Sequence, residues 1–290
     1  MQIKGEKPQT GLSIKEIQDL RRKVFGRKKA KEEWLKNVPI AFEDDLPIGI
    51  IHFGDMHLDA DGCDLDLIDK HMEILRTTEG LYGGNLGDTT NNWVGFLARL
   101  YGEQEATIED AENLIRHYLG GTEWLYTIMG NHDKWNNGHV IIEEVVKTGV
   151  TAEDIRLSLE FPNGTKNTLH ARHNFKGNSQ YNVAHGSVKE ALFGSRDDIV
   201  IHGHRHSCGY SQIINTENHK VQHCISAGSY KQIDSFKTTM GFRDDNISPA
   251  VVTVINPLVS EHNPSRVMVF FDVEAGVEYL NLLRNQAKQK

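Results

Sequence analysis

Apolar residues first recur at helical spacing. Ile14, Ile17, Leu20 and Val24 mark one face of a helix predicted over residues 13–36. Ser13 with Glu16 supplies a capping box, and Gly26 is a candidate interruption. Residues 37–47, with Pro39 and Pro47, read as a linker. From Ile48 the period changes. Short apolar or alternating runs at 48–53, 81–86, 124–129, 169–175 and 199–202 predict strands. Between them, helices are expected from Asp64 to about residue 75, over 91–101, over 107–119 and over 140–146. The tail adds strand candidates at 221–226, 250–255 and 267–272, and a last helix from about Glu274. Strands interleaved with helices predict an α/β fold, and the strand-rich tail predicts a second sheet packed on the first. The expected organisation is a basic helical extension with linker over 1–46 and one domain over 47–290.

Charge changes this picture in one respect. The chain carries −8 overall, but residues 1–37 hold 11 Lys/Arg against 5 Asp/Glu, so +6, and the remainder is −14. An acidic body disfavours a long duplex footprint, because phosphate contacts need Lys and Arg. The run Arg21-Arg22-Lys23 with Arg27-Lys28-Lys29 reads as a solvated face or as a contact to a phosphate backbone or acidic partner. No apolar run approaches a membrane span, and Met1–Lys7 has no apolar core of a signal peptide. Cys63, Cys208 and Cys224 lie far apart without a CxxC, which points to a reducing, cytoplasmic compartment and against a thiolate metal site.

The chemistry gathers where strands end. The first strand runs into Gly54-Asp55-Met56-His57, and three others run into Gly87-Asp88-Thr89-Thr90-Asn91, Gly130-Asn131-His132-Asp133 and Gly203-His204-Arg205-His206. The strand over 169–175 carries His173, with His170 and His185 as competitors for the same place in the series. Open α/β sheets bind ligands at their carboxyl edges. The side chains supplied are carboxylates (Asp55, Asp88), an amide oxygen (Asn131) and imidazoles (His57, His173, His204, His206). Carboxylates with neutral imidazoles and no thiolate suit two divalent ions, Mn²⁺ first, with Fe or Zn²⁺ as alternatives. His132 beside Asp133 suits a general acid.

This ordered set, Asp-x-His, Gly-Asp-x-x-Asn, Gly-Asn-His-Asp, His and Gly-His-x-His, resembles the calcineurin-like metallophosphoesterase superfamily over residues 48–206. The stretches 81–95 and 173–186 are similar to a phage and prophage subgroup. The resemblance implies a four-layer sandwich of two facing mixed sheets flanked by helices. It implies that Asp55, His57 and His206 hold one ion, that Asp88 bridges, and that Asn131, His173 and His204 hold the other. It further implies a metal-bridging hydroxide as nucleophile and His132 as the acid for the leaving group, oriented by Asp133. Arg205, Lys134, Lys176 and Arg76 are candidates for gripping phosphate oxygens, with Arg205 counted among the catalytic residues. Trp93, Trp135 and Tyr181 are candidates for stacking a base, or for packing the domain. The polar stretch from Ser229 to Phe242 is a candidate rim. The expected substrates are phosphodiesters, in nucleic acid or nucleotides, with no membrane partner. The alternatives are a phosphomonoesterase and a catalytically idle interaction module of the same fold. The sequence leaves the oligomeric state open.

Overall fold

The computed structural model describes residues 11–233 and 248–289. Twelve strands among them form two six-stranded mixed sheets. The first sheet contains β1 (Val38–Ala41), β6 (Asp154–Glu160), β7 (Lys166–Arg172), β8 (Ile199–His202), β9 (Gly209–Ile214) and β10 (Val221–Ser226), in the order β1-β6-β7-β8-β10-β9. The second contains β2 (Ile48–Phe53), β3 (Leu81–Asn85), β4 (Trp124–Ile128), β5 (Val150–Ala152), β11 (Ala250–Ile255) and β12 (Val267–Phe270), in the order β12-β11-β2-β3-β4-β5.

Side-chain alternation along β2 explains how the layers stack. Ile48 and Ile50 face Leu157, Leu169 and Ile201 of the other sheet in one core. Ile51 and Phe53 point the opposite way and pack beneath helices α2 (Leu65–Thr77), α3 (Ile108–Leu119) and the C-terminal α7 (Val273–Lys288), through Ile68, Met72, Leu119 and Leu280. A smaller cluster of Val200, Cys224 and Ala191 seats α6 (His185–Phe193) on the outer face of the first sheet. Helix, sheet, sheet and helix are therefore the four layers. Both faces of β2 and β11 are covered, so both are buried along their length, and their polar residues His52 and Thr253 satisfy each other at 2.8 Å.

Helix α1 (Ile14–Leu35) has the capping box of Ser13 and Glu16 and runs through Gly26 unbroken. None of its residues is buried, and Ile17, Leu20 and Val24 are exposed by 40%, 52% and 36%. Only Leu35, in its last turn, packs against the core between the sheets. The apolar face of α1 is thus not its means of attachment to the domain. The linker reading of 37–47 needs correction: Val38–Ala41 pairs in parallel with β6 and extends the first sheet. No helix among the described residues is long and apolar enough to cross a membrane.

Candidate metal centre

Register carries the motifs to one edge. β2, β3 and β4 run parallel, with Phe53 beside Asn85 and Asn85 beside Thr127. Their carboxyl ends deliver Asp55, Asp88 and Asn131 together. β7 and β8 are also parallel, and Arg172 pairs with His202, so His173 and His204 leave the facing sheet at the same edge. Tyr230 N–H and the Ser229 hydroxyl both donate to the Asp55 carbonyl, at 3.0 and 2.8 Å, and bring the segment after β10 to the same rim.

Two clusters of ligand atoms result. Asp55, His57 and His206 form one, and Asp88, His173 and His204 the other. In the first, Nε2 of His57 lies 3.1 Å from Nε2 of His206, which lies 3.1 Å from Oδ2 of Asp55. In the second, His173 Nε2 lies 3.0 Å from His204 Nδ1, 3.0 Å from Asp88 Oδ2 and 3.1 Å from Asn131 Oδ1. His173 Nδ1 donates to the Leu86 carbonyl at 2.8 Å, which turns the lone pair of Nε2 into the cluster. Asp55 Oδ2 and His57 Nδ1 are buried without a hydrogen bond. Lone pairs that converge at such distances in a buried place repel unless a cation or proton sits among them. With oxygen and imidazole donors and no thiolate, both clusters fit a divalent ion.

The backbone is bent to make this geometry. His57, Asp88, His204 and His206 have φ of 46°, 50°, 67° and 50°, in the left-handed region. Each such non-glycine residue costs roughly 1–3 kcal/mol, tolerated where the surroundings fix it. Two glycines of the motifs exist for close approach: a Cβ on Gly130 would collide with Asp88 Oδ1, and one on Gly203 with Asp55 Oδ1.

Protonation follows from the same crowding. Burial opposes charge on His173, but Asp88 and Asp55 outweigh it and push its pKa up to about 10. Burial and the neighbouring imidazoles of His206 and His132 hold His57 well below its usual value, and burial with His173 lowers His204. In the metal-free protein a proton on His173 therefore occupies the lone pair that an ion needs. Ion binding at pH 7 should release about one proton from this residue, and affinity should rise with pH towards 10. Calorimetric titration of metal into stripped protein, in buffers of different ionisation enthalpy, reads this directly; binding that releases no proton would refute it.

The structure places other predicted residues as follows. His132 lies beside the clusters, its Nε2 3.9 Å from Asp88 Oδ2 and its ring 5.1 Å from that of His57. Its Nδ1 is in hydrogen-bond contact with the Asn91 carbonyl. Asp133 does not orient it. The Asp133 carboxylate instead accepts from the backbone N–H groups of Gly130, Asp88 and Thr89, at 2.8, 2.8 and 2.9 Å. It ties the second motif to the third. Burial and Asp88 push its pKa up to about 6. Asp133→Ala would strand three amides, so unfolding free energy should fall by about 2–4 kcal/mol; denaturant unfolding measures it, and a loss under about 0.5 kcal/mol would contradict this role. Arg205 reaches the Asn178 side chain at 3.1 Å and the Gly177 carbonyl at 2.8 Å, on the rim. His170 is occupied elsewhere, with Asp154 at 2.6 Å and Ser195 at 2.8 Å, and His185 opens α6 outside both clusters. The candidate rim from Ser229 onward leaves the described residues after position 233. Asn91 and Leu86 were missed as partners because their contribution is a backbone carbonyl, which any residue type supplies.

Two indoles adjoin the centre. Trp93 and Trp135 lie against the His132 ring, with centroids 5.4 and 4.3 Å away. A cleft of about 830 Å³ opens on another side, lined by Lys28, Lys31 and Leu35 of α1 and by Lys134, Arg156 and His170. Glu32, Glu143, Glu153, Asp154 and Glu190 line it as well, so the cleft is balanced in charge, and none of the proposed ligands is in its wall.

No protein-family model and no curated protein matches this sequence. Among solved structures, the NAD nucleotidase of Haemophilus influenzae is similar over 79% of this chain and 50% of its own, at 10% identity and a TM-score of 0.41. The calcineurin-like phosphoesterase YfkN from Bacillus subtilis is similar over 83% of this chain and 97% of its own, at 11% identity and a TM-score of 0.42. The chain spans about half the length of the nucleotidase. These likenesses concern the fold; the reading of the site stands on its own ligand atoms.

Proposed function

We propose that this chain is a two-metal phosphoesterase of the calcineurin-like type, acting on phosphodiesters of nucleic acid or nucleotides. One observation carries the reading: two sets of converging carboxylate, amide and imidazole atoms at a single sheet edge, buried at Asp55, His57, Asp88 and His173 and open to solvent at His204. Asp55, His57 and His206 would hold one divalent ion, and Asn131, His173 and His204 the other, with Asp88 shared. Mn²⁺ is the first candidate, with Fe and Zn²⁺ as alternatives. Two such ions supply charge neutralisation at the phosphoryl oxygens and an activated water. His132 stands at the edge of the clusters, held by the Asn91 carbonyl, and gives a proton to the departing oxygen. Asp133 acts by fixing the backbone that carries Asp88 and Asn131. Arg205 contacts a phosphate oxygen only if it leaves Gly177 and Asn178. We assign the protein to the cytoplasm, in keeping with three cysteines that form no disulfide among the described residues.

Bis-p-nitrophenyl phosphate against p-nitrophenyl phosphate, with Mn²⁺, separates diesterase from monoesterase. Faster turnover of the diester is expected, and exclusive monoester hydrolysis would overturn the preference. Metal-loaded protein inert to both would favour an idle module.

A polynucleotide substrate would be met by the basic face of α1, which gathers Arg21, Arg22, Arg27 and Lys28 in a chain that is acidic elsewhere. Changing Arg21, Arg22, Arg27 and Lys28 to Gln should raise KM for single-stranded DNA and flatten the salt dependence of binding, since fewer counterions are released. Turnover of the small chromogenic diester should not change. An unaltered affinity and salt slope would make α1 structural.

A further inference from the structure

We infer that Trp93 and Trp135 form a stacking subsite for a nucleobase on the side of the metal centre where His132 stands. The inference rests on the phosphoesterase reading only for the direction in which the leaving group departs. Neither indole belongs to any of the three hydrophobic cores, whereas Trp124, of the same residue type, is 2% exposed within one. Both are half-buried instead, and both stand against the imidazole that adjoins the clusters. A domain-packing role therefore does not account for them.

The pair is built rather than incidental. Each tryptophan's backbone is gripped by an asparagine from the other's loop: Asn136 donates to the Trp93 carbonyl at 2.9 Å, and Asn92 donates to the Trp135 carbonyl. Asn92 also donates to the His132 carbonyl at 3.0 Å, so the imidazole and both indoles share one framework. Asn92 and Asn136 adopt left-handed φ of 45° and 46° to do so. Strain of this kind persists where a functional geometry requires it. The Trp93 indole Nε1 is buried and has no hydrogen-bond partner among the described residues. Lys231 Nζ lies 5.6 Å from the Trp93 centroid and supplies positive charge next to the aromatic wall. Half-buried indoles beside the clusters, with an ammonium near one of them, suit a flat heterocycle joined to a phosphate. A nucleoside phosphate has these features; a sugar phosphate or glycerol phosphate lacks the ring.

Stacking of a base on an aromatic side chain corresponds to roughly 5- to 150-fold in affinity. The test uses the Zn²⁺-loaded protein and two probes whose carbon–phosphorus bond resists hydrolysis: an adenosine phosphonate and the same phosphonate on bare ribose. Calorimetry should show the adenosine compound binding tighter by that factor. Trp93→Leu and Trp135→Leu should each remove most of the difference while leaving the ribose compound unchanged, and Trp93→Phe should keep it. Equal affinity of the two probes for the unmodified protein overturns the inference, as does binding of neither probe. A preference that survives both Leu variants overturns it too. Failure of the unmodified enzyme to hydrolyse bis-p-nitrophenyl phosphate, with the probe preference intact, would instead remove the phosphoesterase reading and leave the subsite standing.

Discussion

Asp88→Asn should lose both metal ions together and, with them, roughly 10²–10⁴-fold in kcat. Asp88 is the carboxylate we propose as the bridge: it belongs to the second cluster, and its backbone carbonyl tethers His57 of the first. Its Oδ2 lies 3.0 Å from His173 Nε2 and 3.9 Å from His132 Nε2. Its Oδ1 accepts from the His132 N–H at 2.9 Å, and its carbonyl accepts from the His57 N–H at 3.0 Å. The side chain is buried, and three imidazoles, His173 foremost, offset the burial and hold its pKa below the usual carboxylate range. Asparagine has nearly the same shape and can still accept from His132 N–H, so the fold should persist. What disappears is a negative charge shared between two cations. Elemental analysis after dialysis against trace Mn²⁺ checks the metal content, and circular dichroism checks the fold. Full binuclear occupancy with unchanged turnover would remove Asp88 from the centre.

His132→Ala should behave in the opposite manner. Metal content should stay, while kcat for a diester with a poor leaving group falls roughly 10²–10⁴-fold. The imidazole belongs to neither ligand cluster, yet it stands at their edge with its Nδ1 held by a carbonyl. That arrangement leaves Nε2 as the atom facing the site. A p-nitrophenolate leaving group needs little protonation, so the loss there should be much smaller. The measurement is the dependence of kcat on leaving-group pKa in both proteins, with the variant expected to be steeper. Metal loss in this variant would make His132 a ligand, and an equal loss for good and poor leaving groups would remove the acid role.

These expectations were readable in the sequence to the degree that burial leaves a mark on it. β2, β8 and β11 are buried along their length and therefore appear as mainly apolar runs, broken only by His52, His202 and Thr253. The motifs at their ends follow from glycines and ligating side chains standing together. Half of the first sheet was not visible. β6 intersperses Asp154, Arg156 and Ser158 between its apolar residues, β9 alternates between half-buried and exposed at the sheet edge, and β1 contains Pro39 in a run of four. Their pairing is decided by partners far along the chain. The spacing over 91–101 predicts a helix, but the chain is irregular through Val94, with Asn92 left-handed, and then a 3₁₀ turn over Gly95–Glu103, with Trp93 beside His132. Asp133 shows how adjacency misleads. It follows His132 directly, but successive residues on a helical turn face different ways. His132 faces the clusters, and Asp133 turns inward to three amides. The left-handed φ of His57, Asp88, His204 and His206 left no trace in residue type, because none of them is glycine.

The central claim is that two ions held at this sheet edge make the chain a phosphoesterase. Activity titration tests it in one measurement. Protein stripped with chelator receives Mn²⁺ in stepwise equivalents, and hydrolysis of bis-p-nitrophenyl phosphate is followed at each step. The rate should be absent at the start, rise with added ion and level off at about two equivalents per chain. Turnover by the stripped protein, or a plateau at one equivalent, would contradict it.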